Sequence, residues 1–505
     1  MAVRIGNTAV GGDNPIRLQS MTNTPTLDTD ASVAQIKRIA AAGADIVRLT
    51  AQGVAHAANL ANISAALRAE GCEIPLVADI HFNTAAAFES ARHVEKVRIN
   101  PGNFADPART FRKLEYSDAE YAAELCRIEE KLVPLLELCK SRGVALRLGV
   151  NHGSLSDRIM SRYGDTPAGM TESAMEYLRI CRRHDFDQVV ISVKASNVCV
   201  MVETVHRLVD AMYAEDMHYP LHLGVTEAGD GEDGRVKSCV GIGTLLAEGL
   251  GDTVRVSLSE APEREIPVAR MLVDHISAMT MTISRSTRTP SPTVPVVVGH
   301  DITEEEAMSG AYAVTSAEGA NAAAILKSLA SSTSEPGPVI LKVSYPADWS
   351  AEQVTVAASV DLGASLLAGY GDGVWIDAPS LTAAQNTSLA LAILQATRRR
   401  ISRTEYIACP GCGRTLFGLE DTLAAVRQAT AHLPGLKIGV MGCIVNGPGE
   451  MADADYGYVG AAAGHVSLYR GKECVERNIP QHLAIEHLVA LLKADGRWQE
   501  PAEKP

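Results

Sequence analysis

The chain contains DIVRLT at residues 45–50, PLVADI at 75–80 and KVRIN at 96–100, three short apolar runs that follow one another closely. Their branched aliphatic residues and their length fit buried strands. Ala-rich segments with helical apolar periodicity flank these runs, for example at 32–42 and 85–93. Strands that alternate with helices in this way predict a parallel sheet.

The same alternation extends over the first 280 residues. We predict five further strands at 16–20, 144–149, 188–193, 219–225 and 253–258, and a long charged helix at 118–142. Eight strand–helix units in this length match a (β/α)8 barrel, which usually takes about 250 residues. An open doubly wound sheet is the alternative, but the Gly-x-Gly-x-x-Gly turn typical of that fold does not follow the first strand. We therefore predict an α/β protein with a TIM-type barrel at residues 1–280.

Charged side chains mark the predicted strand ends, where such barrels carry their chemistry. Although the net charge is −14, six of the eight strands place a cation there: Arg17, Arg48, Arg98, Arg147, Lys194 and Arg255. One such arginine is most often solvated or paired with an acid, but six that converge suit a ligand with two phosphates. Uncharged and acidic companions lie beside them: Gln19, Asp79, His81, Asn100, Asn151, Asn197, Glu227 and Ser257.

Glu227 is the exceptional charge in this ring. A carboxylate among cations is often only an ion-pair partner. Alternatively, it is a proton donor or electrostatic guide next to the substrate. Both interpretations stay open from the residues alone.

Composition restricts the possible partners and the compartment. The net charge of −14 argues against nucleic-acid binding. The chain lacks the run of about 20 apolar residues that a membrane span requires, and its first residues resemble no targeting signal. We expect a cytoplasmic, reducing location, in which the ten cysteines are read first as candidate metal or cluster ligands.

Residues 281–402 are predicted to form an inserted α/β spacer domain without chemistry of its own. A Ser/Thr/Pro/Arg-rich linker at 284–292 opens it, and strand-like runs follow at 294–298, 338–343 and 373–376. The insert contains no cysteine.

Residues 403–505 carry the most specific motif, CPGCGRT at 409–415, followed by GCIVNGPGE at 442–450. Cys409 and Cys412 lie on one tight turn, where both can bind one metal or cluster, and Cys443 is a third candidate ligand. The fourth ligand is open between Cys474 and Glu450. Structural zinc is the alternative to a redox cluster, although zinc ribbons usually present a second C-x2-C pair. The surrounding pattern predicts an α/β domain with strands at 405–408 and 437–440 and helices at 419–431 and 483–494.

Taken together, these motifs resemble the 4-hydroxy-3-methylbut-2-enyl diphosphate synthases of the methylerythritol phosphate route to isoprenoids. The resemblance covers residues 4–280 and 403–500. Besides the two cysteine motifs, it rests on QSMT at 19–22, VRINPGN at 97–103, GVNHGSL at 149–155, SVKAS at 192–196, GVTEAG at 224–229 and RVS at 255–257.

The resemblance implies a 4Fe–4S cluster bound by Cys409, Cys412, Cys443 and Glu450. It also implies reductive ring opening of 2-C-methyl-D-erythritol 2,4-cyclodiphosphate, with electrons from ferredoxin or flavodoxin. By the same matching, Glu227 lies near the reacting carbons. The implied substrate-binding residues are Arg48, Arg98, Asn100, Arg147, Asn151, Lys194, Arg255 and Ser257.

The insert is a departure from the common bacterial form of the family, which joins barrel and cluster domain directly. It resembles a shortened version of the insert in the plant-like long form. The sequence leaves open whether the cluster domain reaches the barrel mouth within one chain or across a homodimer. Two rival functions also remain: a phosphate-binding lyase or isomerase with a structural zinc tail, and a non-catalytic diphosphate sensor.

Overall fold

A β-hairpin that the sequence did not indicate precedes the barrel. The computed structural model describes residues 1–105, 115–279, 283, 285, 288–317, 325, 338–443, 447–451 and 453–501. Strands β1 (Ala2–Ile5) and β2 (Thr8–Gly11) pair antiparallel. Their side chains close the amino-terminal end of the barrel with residues from four barrel strands, in one buried cluster of Val3, Ile5, Val10, Ile46, Val77, Ala145 and Val190.

Eight parallel strands form the barrel, as predicted. They are β3 (Arg17–Met21), β4 (Ile46–Thr50), β5 (Leu76–Asp79), β6 (Lys96–Ile99), β7 (Ala145–Asn151), β8 (Val189–Lys194), β9 (His222–Leu223) and β10 (Thr253–Val254). They hydrogen-bond in the order β8-β7-β6-β5-β4-β3-β10-β9. A parallel bridge between Ile191 and Leu221 joins the two edge strands and closes the sheet.

Strands β9 and β10 are shorter than the predicted 219–225 and 253–258. Gly224 follows directly after β9. A side chain at this position would meet the Lys194 ammonium and the Arg255 carbonyl, so the position requires glycine. Beyond it, the two segments leave the sheet and carry Glu227 and Ser257 into the mouth of the barrel.

Helices surround the barrel, and polar side chains fix where several of them begin. Asp28, Asn83 and Ser117 each accept a hydrogen bond from a backbone N–H of the first turn that follows. The helices are α1 (Thr29–Ala41), α2 (Val54–Ala69), α3 (Thr84–Ser90), α4 (Pro101–Phe104), α5 (Asp118–Arg142), α6 (Asp157–Tyr163), α7 (Pro167–Arg183), α8 (Val198–Ala214), α9 (Gly231–Ala247) and α10 (Glu265–Ser277).

The insert is a small parallel α/β layer that packs on the outside of the barrel. Its strands are β11 (Val296–Val297), β12 (Ala313–Ala317), β13 (Val339–Ser344) and β14 (Gly373–Asp377), in the order β11-β14-β13-β12. Strand β12 was not predicted, and residues 284, 286 and 287 of the predicted linker at 284–292 lie outside the described residues. Its helices are α11 (Glu304–Met308), α12 (Ala351–Leu367) and α13 (Ala383–Ala396).

Helices α12 and α13 both lie against α9 of the barrel. This contact explains why α9 is buried on nearly all sides from Val236 to Ala247, instead of along one stripe. Glycines allow the close approach, since an added methyl group on Gly363 would lie 2.9 Å from the Val240 side chain, and one on Gly243 would lie 2.6 Å from Val360.

The C-terminal domain is a mixed five-stranded sheet with helices. Parallel β15 (Glu405–Ala408), β16 (Lys437–Met441) and β17 (Tyr456–Ala462) continue into antiparallel β18 (His465–Arg470) and β19 (Glu473–Pro480). The last three strands were not predicted, because β17 is rich in small residues and β19 is mostly polar. The helices are α14 (Leu419–Thr430), α15 (Gly447–Glu450) and α16 (Ala484–Ala494). Within the described part of the chain, no helix is both long and apolar enough to cross a membrane.

The packing of the insert on the barrel generates a stability prediction. Gly363→Ala should lower the free energy of unfolding by about 1–3 kcal/mol because the new methyl group overpacks the contact with Val240. Helix propensity alone predicts that the same substitution raises the free energy of unfolding by about 1 kcal/mol. Urea unfolding of the two proteins checks the sign. Adding Val240→Ala should recover part of the loss, whereas a Gly363→Ala protein at least as stable as the parent would contradict this packing.

Candidate active site

The mouth of the barrel and two loops of the C-terminal domain line one cavity. Every site residue that the family resemblance implies, except Asn100, lines it. The barrel contributes Met21, Arg48, Asp79, His81, Arg98, Arg147, Asn151, Lys194, Thr226, Glu227, Arg255 and Ser257. The C-terminal domain contributes Cys409, Pro410, Gly411, Cys412, Arg414, Thr415, Met441, Gly442, Cys443 and Glu450.

Hydrogen bonds hold the C-terminal domain on the barrel mouth. The Ala408 N–H donates to the Glu227 carbonyl at 3.2 Å. Lys237 donates to the Tyr406 carbonyl at 2.9 Å and lies 3.2 Å from the Glu405 carboxylate. The two domains therefore meet within one chain, which answers the question that the sequence left open.

Arg98 is held by three neighbours at the barrel mouth. It forms a buried ion pair with Asp79 at 3.0 Å and donates to the Gly149 carbonyl at 2.8 Å and to His81 Nε2. Burial, reinforced by Arg98, lowers the pKa of His81 to about 4, so a neutral imidazole accepts this bond. Burial alone would raise the pKa of Asp79, but Arg48 and Arg98 hold it well below its usual range.

Arg147, Arg48 and Lys194 are buried cations without a carboxylate partner among the described residues. Arg147 is 1% exposed, and its Nη1 donates to Ser192 Oγ at 2.5 Å. Its Nε and Nη2 have no partner in the described structure. Arg48 donates to the Met21 sulfur at 3.0 Å.

Lys194 is held by a histidine that the sequence did not indicate. Its ammonium lies 3.2 Å from His222 Nε2. Burial and the surrounding arginines lower the pKa of Lys194 well below its usual value, and burial also lowers the pKa of Arg48, to about 10. Such shifts are expected where like charges are crowded together away from water. An anionic ligand would relieve this repulsion.

Arg255 is oriented by Glu265, which the sequence did not single out. The guanidinium donates from Nε and Nη2 to the two carboxylate oxygens at 3.0 and 2.9 Å. Ser20 Oγ donates to the same carboxylate at 2.7 Å. This two-point contact fixes the plane of the arginine and leaves its Nη1 free of carboxylate contact.

Glu227 adopts a left-handed backbone conformation, with φ of +53°, which is uncommon for a residue other than glycine. Its carboxylate is buried and accepts from Thr226 Oγ1 at 2.9 Å. Burial and the nearby Glu450 carboxylate raise its pKa well above the usual range. The strained backbone and the perturbed carboxyl are both typical of functional residues.

The predicted cluster ligands lie together on the opposite domain. Cys409 Sγ accepts from the Gly442 N–H at 3.2 Å. Gly411, at φ of +75°, allows the turn between Cys409 and Cys412. Asn151 Nδ2 of the barrel donates to Glu450 Oε1 at 2.6 Å. Of the motif at 442–450, residues 444–446 lie outside the described residues.

Cys409, Cys412, Cys443 and Glu450 all line the cavity. Three thiols that face one cavity are a donor set that fits an iron–sulfur cluster. Cys474 lies in β19 and does not line the cavity, whereas Glu450 does.

Three residues predicted near the strand ends have structural contacts instead. Asn100 does not line the cavity, and its Oδ1 accepts from the Gly102 N–H at the start of α4. Asn197 likewise begins α8. Arg17 points away from the mouth and pairs with Asp45 at 3.3 Å, so the ring has five barrel cations, not six.

Two protein families match this chain, one over the barrel and one over the C-terminal domain. The GcpE TIM-barrel domain family matches residues 1–270, and the GcpE protein C-terminal domain family matches residues 405–494. Residues 271–404, which include the insert, lie between the two matches.

Curated relatives match nearly the whole chain. A protein of Bacteroides fragilis is 48% identical over an alignment of 600 positions including gaps, which covers 99% of this chain and 96% of the relative. Proteins of Porphyromonas gingivalis and Akkermansia muciniphila are 47% and 45% identical, over 98% and 99% of this chain and 97% of each relative. All three are named 4-hydroxy-3-methylbut-2-en-1-yl diphosphate synthase (flavodoxin). The matched barrel domain, the matched C-terminal domain and this level of identity place the chain in the GcpE family.

Proposed function

We propose that the chain is a 4-hydroxy-3-methylbut-2-en-1-yl diphosphate synthase. It would reduce 2-C-methyl-D-erythritol 2,4-cyclodiphosphate with two electrons, opening the ring and releasing a hydroxyl group as water. The observation that carries the proposal is one cavity in which five barrel cations face three thiols and a carboxylate. The names of the relatives support the same reaction.

The barrel cations supply the binding energy for the diphosphate. Asp79 and Glu265 neutralise Arg98 and Arg255, but Arg48, Arg147 and Lys194 lack a carboxylate ion-pair partner among the described residues. Two N–H groups of Arg147 are buried and unpartnered in the described structure, and phosphate oxygens accept such bonds in pairs. Because the P–O–P unit and one of the two C–O bonds to the diphosphate stay intact during ring opening, binding of the diphosphate can position the rest of the substrate.

Cys409, Cys412, Cys443 and Glu450 would hold a 4Fe–4S cluster at the wall of the cavity formed by the C-terminal domain. Such a cluster supplies single electrons at low potential, which side chains cannot provide. A carboxylate is a harder ligand than a thiolate and a weaker one for cluster iron. Asn151, bonded to Glu450, would orient this ligand from the barrel.

Glu227 is an acidic group of the barrel that lies near two of the proposed cluster ligands, Glu450 and Cys409. Its carboxyl lines the cavity and lies close to Glu450. Its place supports the role of donating a proton to the departing hydroxyl group, which must leave as water. Ser257 and Thr226, which also line the cavity, are positioned to orient the substrate hydroxyl groups.

The electron donor in this proposal is flavodoxin, because the relatives carry that donor in their names. Ferredoxin is the alternative that the sequence resemblance allows. A cytoplasmic, reducing location belongs to the same proposal, since the three thiols must stay reduced to bind iron.

A first prediction concerns the barrel cations. Arg147→Ala and Arg255→Ala should each raise the dissociation constant of the cyclodiphosphate roughly ten- to hundredfold, because a charge-assisted contact contributes ~1.5–3 kcal/mol. The cluster absorbance should not change. Calorimetric titration of the anaerobic protein measures the constant, with Arg207→Ala, an exposed arginine paired with Glu203, as control. Wild-type affinity in both cavity variants would show that the diphosphate binds elsewhere.

A second prediction concerns the fourth cluster ligand. Glu450→Cys should retain about four iron and four sulfide per chain but lose most turnover, because a fourth thiolate does not yield its place to substrate. Cys474→Ser should change neither quantity, since Cys474 lies outside the cavity. Iron and sulfide analysis and reductant-driven turnover check both. Loss of the cluster in Cys474→Ser, with Glu450→Ala fully active, would refute this ligand set.

A further inference from the structure

Arg414 is a buried cation that the C-terminal domain contributes to the cavity. It is 8% exposed and lines the cavity together with the barrel cations. Its guanidinium donates no hydrogen bond to any residue that the structure describes, and its Nε is fully buried without a partner. Arginine remains protonated in proteins. The cavity therefore contains a permanent positive charge with unused donors, which is costly unless a ligand accepts from it.

The acidic groups near Arg414 already have other partners. Electrostatic interactions link Arg414 to Cys412, Asp79, Cys443 and Glu450. However, Asp79 is paired with Arg98 at 3.0 Å, and Glu450 accepts from Asn151 at 2.6 Å. Arg414 thus lies between the thiol-bearing loops and the Asp79 side of the barrel mouth, close to carboxylates but not bonded to them.

The loop that carries Arg414 is fixed against the rim of the barrel. The Gly413 carbonyl accepts from Gln52 Nε2 at 3.3 Å. A side chain on Gly413 would come within 2.8 Å of the Thr24 carbonyl, so only glycine allows this approach. The Cys412 N–H donates to Thr415 Oγ1 at 3.0 Å and closes the turn. Contacts on both sides of Arg414 therefore hold its backbone in place, and its donors are oriented before a ligand arrives.

We propose that Arg414 binds phosphate oxygens of the substrate from the C-terminal domain, while the barrel cations bind the same diphosphate from below. This inference rests on the proposed function and adds a substrate contact from the second domain. A diphosphate held in this way bridges the two domains. Its binding then strengthens their association at the step in which water must be excluded.

Substrate binding tests this role separately from turnover. In the anaerobic, cluster-loaded protein without reductant, Arg414→Gln should weaken calorimetric binding of the cyclodiphosphate roughly ten- to hundredfold. Arg414→Lys, which keeps the charge but loses the two-pronged geometry, should weaken binding less. Arg477→Gln, an exposed arginine of the same domain, is the control and should bind like the wild type. Iron content should stay the same in all variants.

Three results would overturn the proposal. One is wild-type affinity in Arg414→Gln. Another is a shifted midpoint potential with unchanged affinity, which would make Arg414 a residue that tunes the cluster. The third is loss of the cluster in both Arg414 variants, which would assign Arg414 to cluster assembly. If the wild-type protein itself neither binds nor reduces the cyclodiphosphate, the proposed function fails, whatever the variants do.

Discussion

Burial of positive charge at one end of the barrel is the constraint on which the rest of the site depends. Five cations from the barrel strands lie in one cavity, and removing each from water costs several kcal/mol before any compensation. Glu265 and Asp79 compensate two of them. The others are held by a hydroxyl, a sulfur and an imidazole. Burying these cations raises the free energy of the folded barrel, and this cost is offset only when an anion binds.

The C-terminal domain covers the mouth of the barrel and thereby places its thiols opposite the buried cations. One backbone hydrogen bond, from Ala408 to the carbonyl of Glu227, lies at the centre of the domain contact. The left-handed conformation of Glu227 turns its carbonyl toward the second domain while its carboxylate stays in the cavity. The same residue therefore joins the domains and presents an acid to the ligand.

The sequence predicted the barrel strands because apolar runs of strand length repeat clearly in this region. It predicted the cysteine loops because ligand spacing is a local property. It could not tell which strand-end residues face the mouth: Arg17 and Arg147 look alike in the sequence, yet only Arg147 lines the cavity. Glu265 and His222 were missed because their importance comes from contacts with Arg255 and Lys194 across the fold. The packing of the insert on α9 had one signal in the sequence: apart from Thr244, residues 239–247 are all apolar or glycine, with no polar side facing solvent.

We propose that the diphosphate site and the cluster ligands form one site within a single chain. The electron paramagnetic resonance spectrum of the reduced, cluster-loaded protein tests it directly, recorded with and without the cyclodiphosphate under conditions that trap the first complex. If substrate bound by the barrel cations lies against the cluster, adding it should change the g values of the cluster signal. A spectrum unchanged at saturating substrate would contradict the account, because it would place the bound diphosphate away from Cys409, Cys412, Cys443 and Glu450.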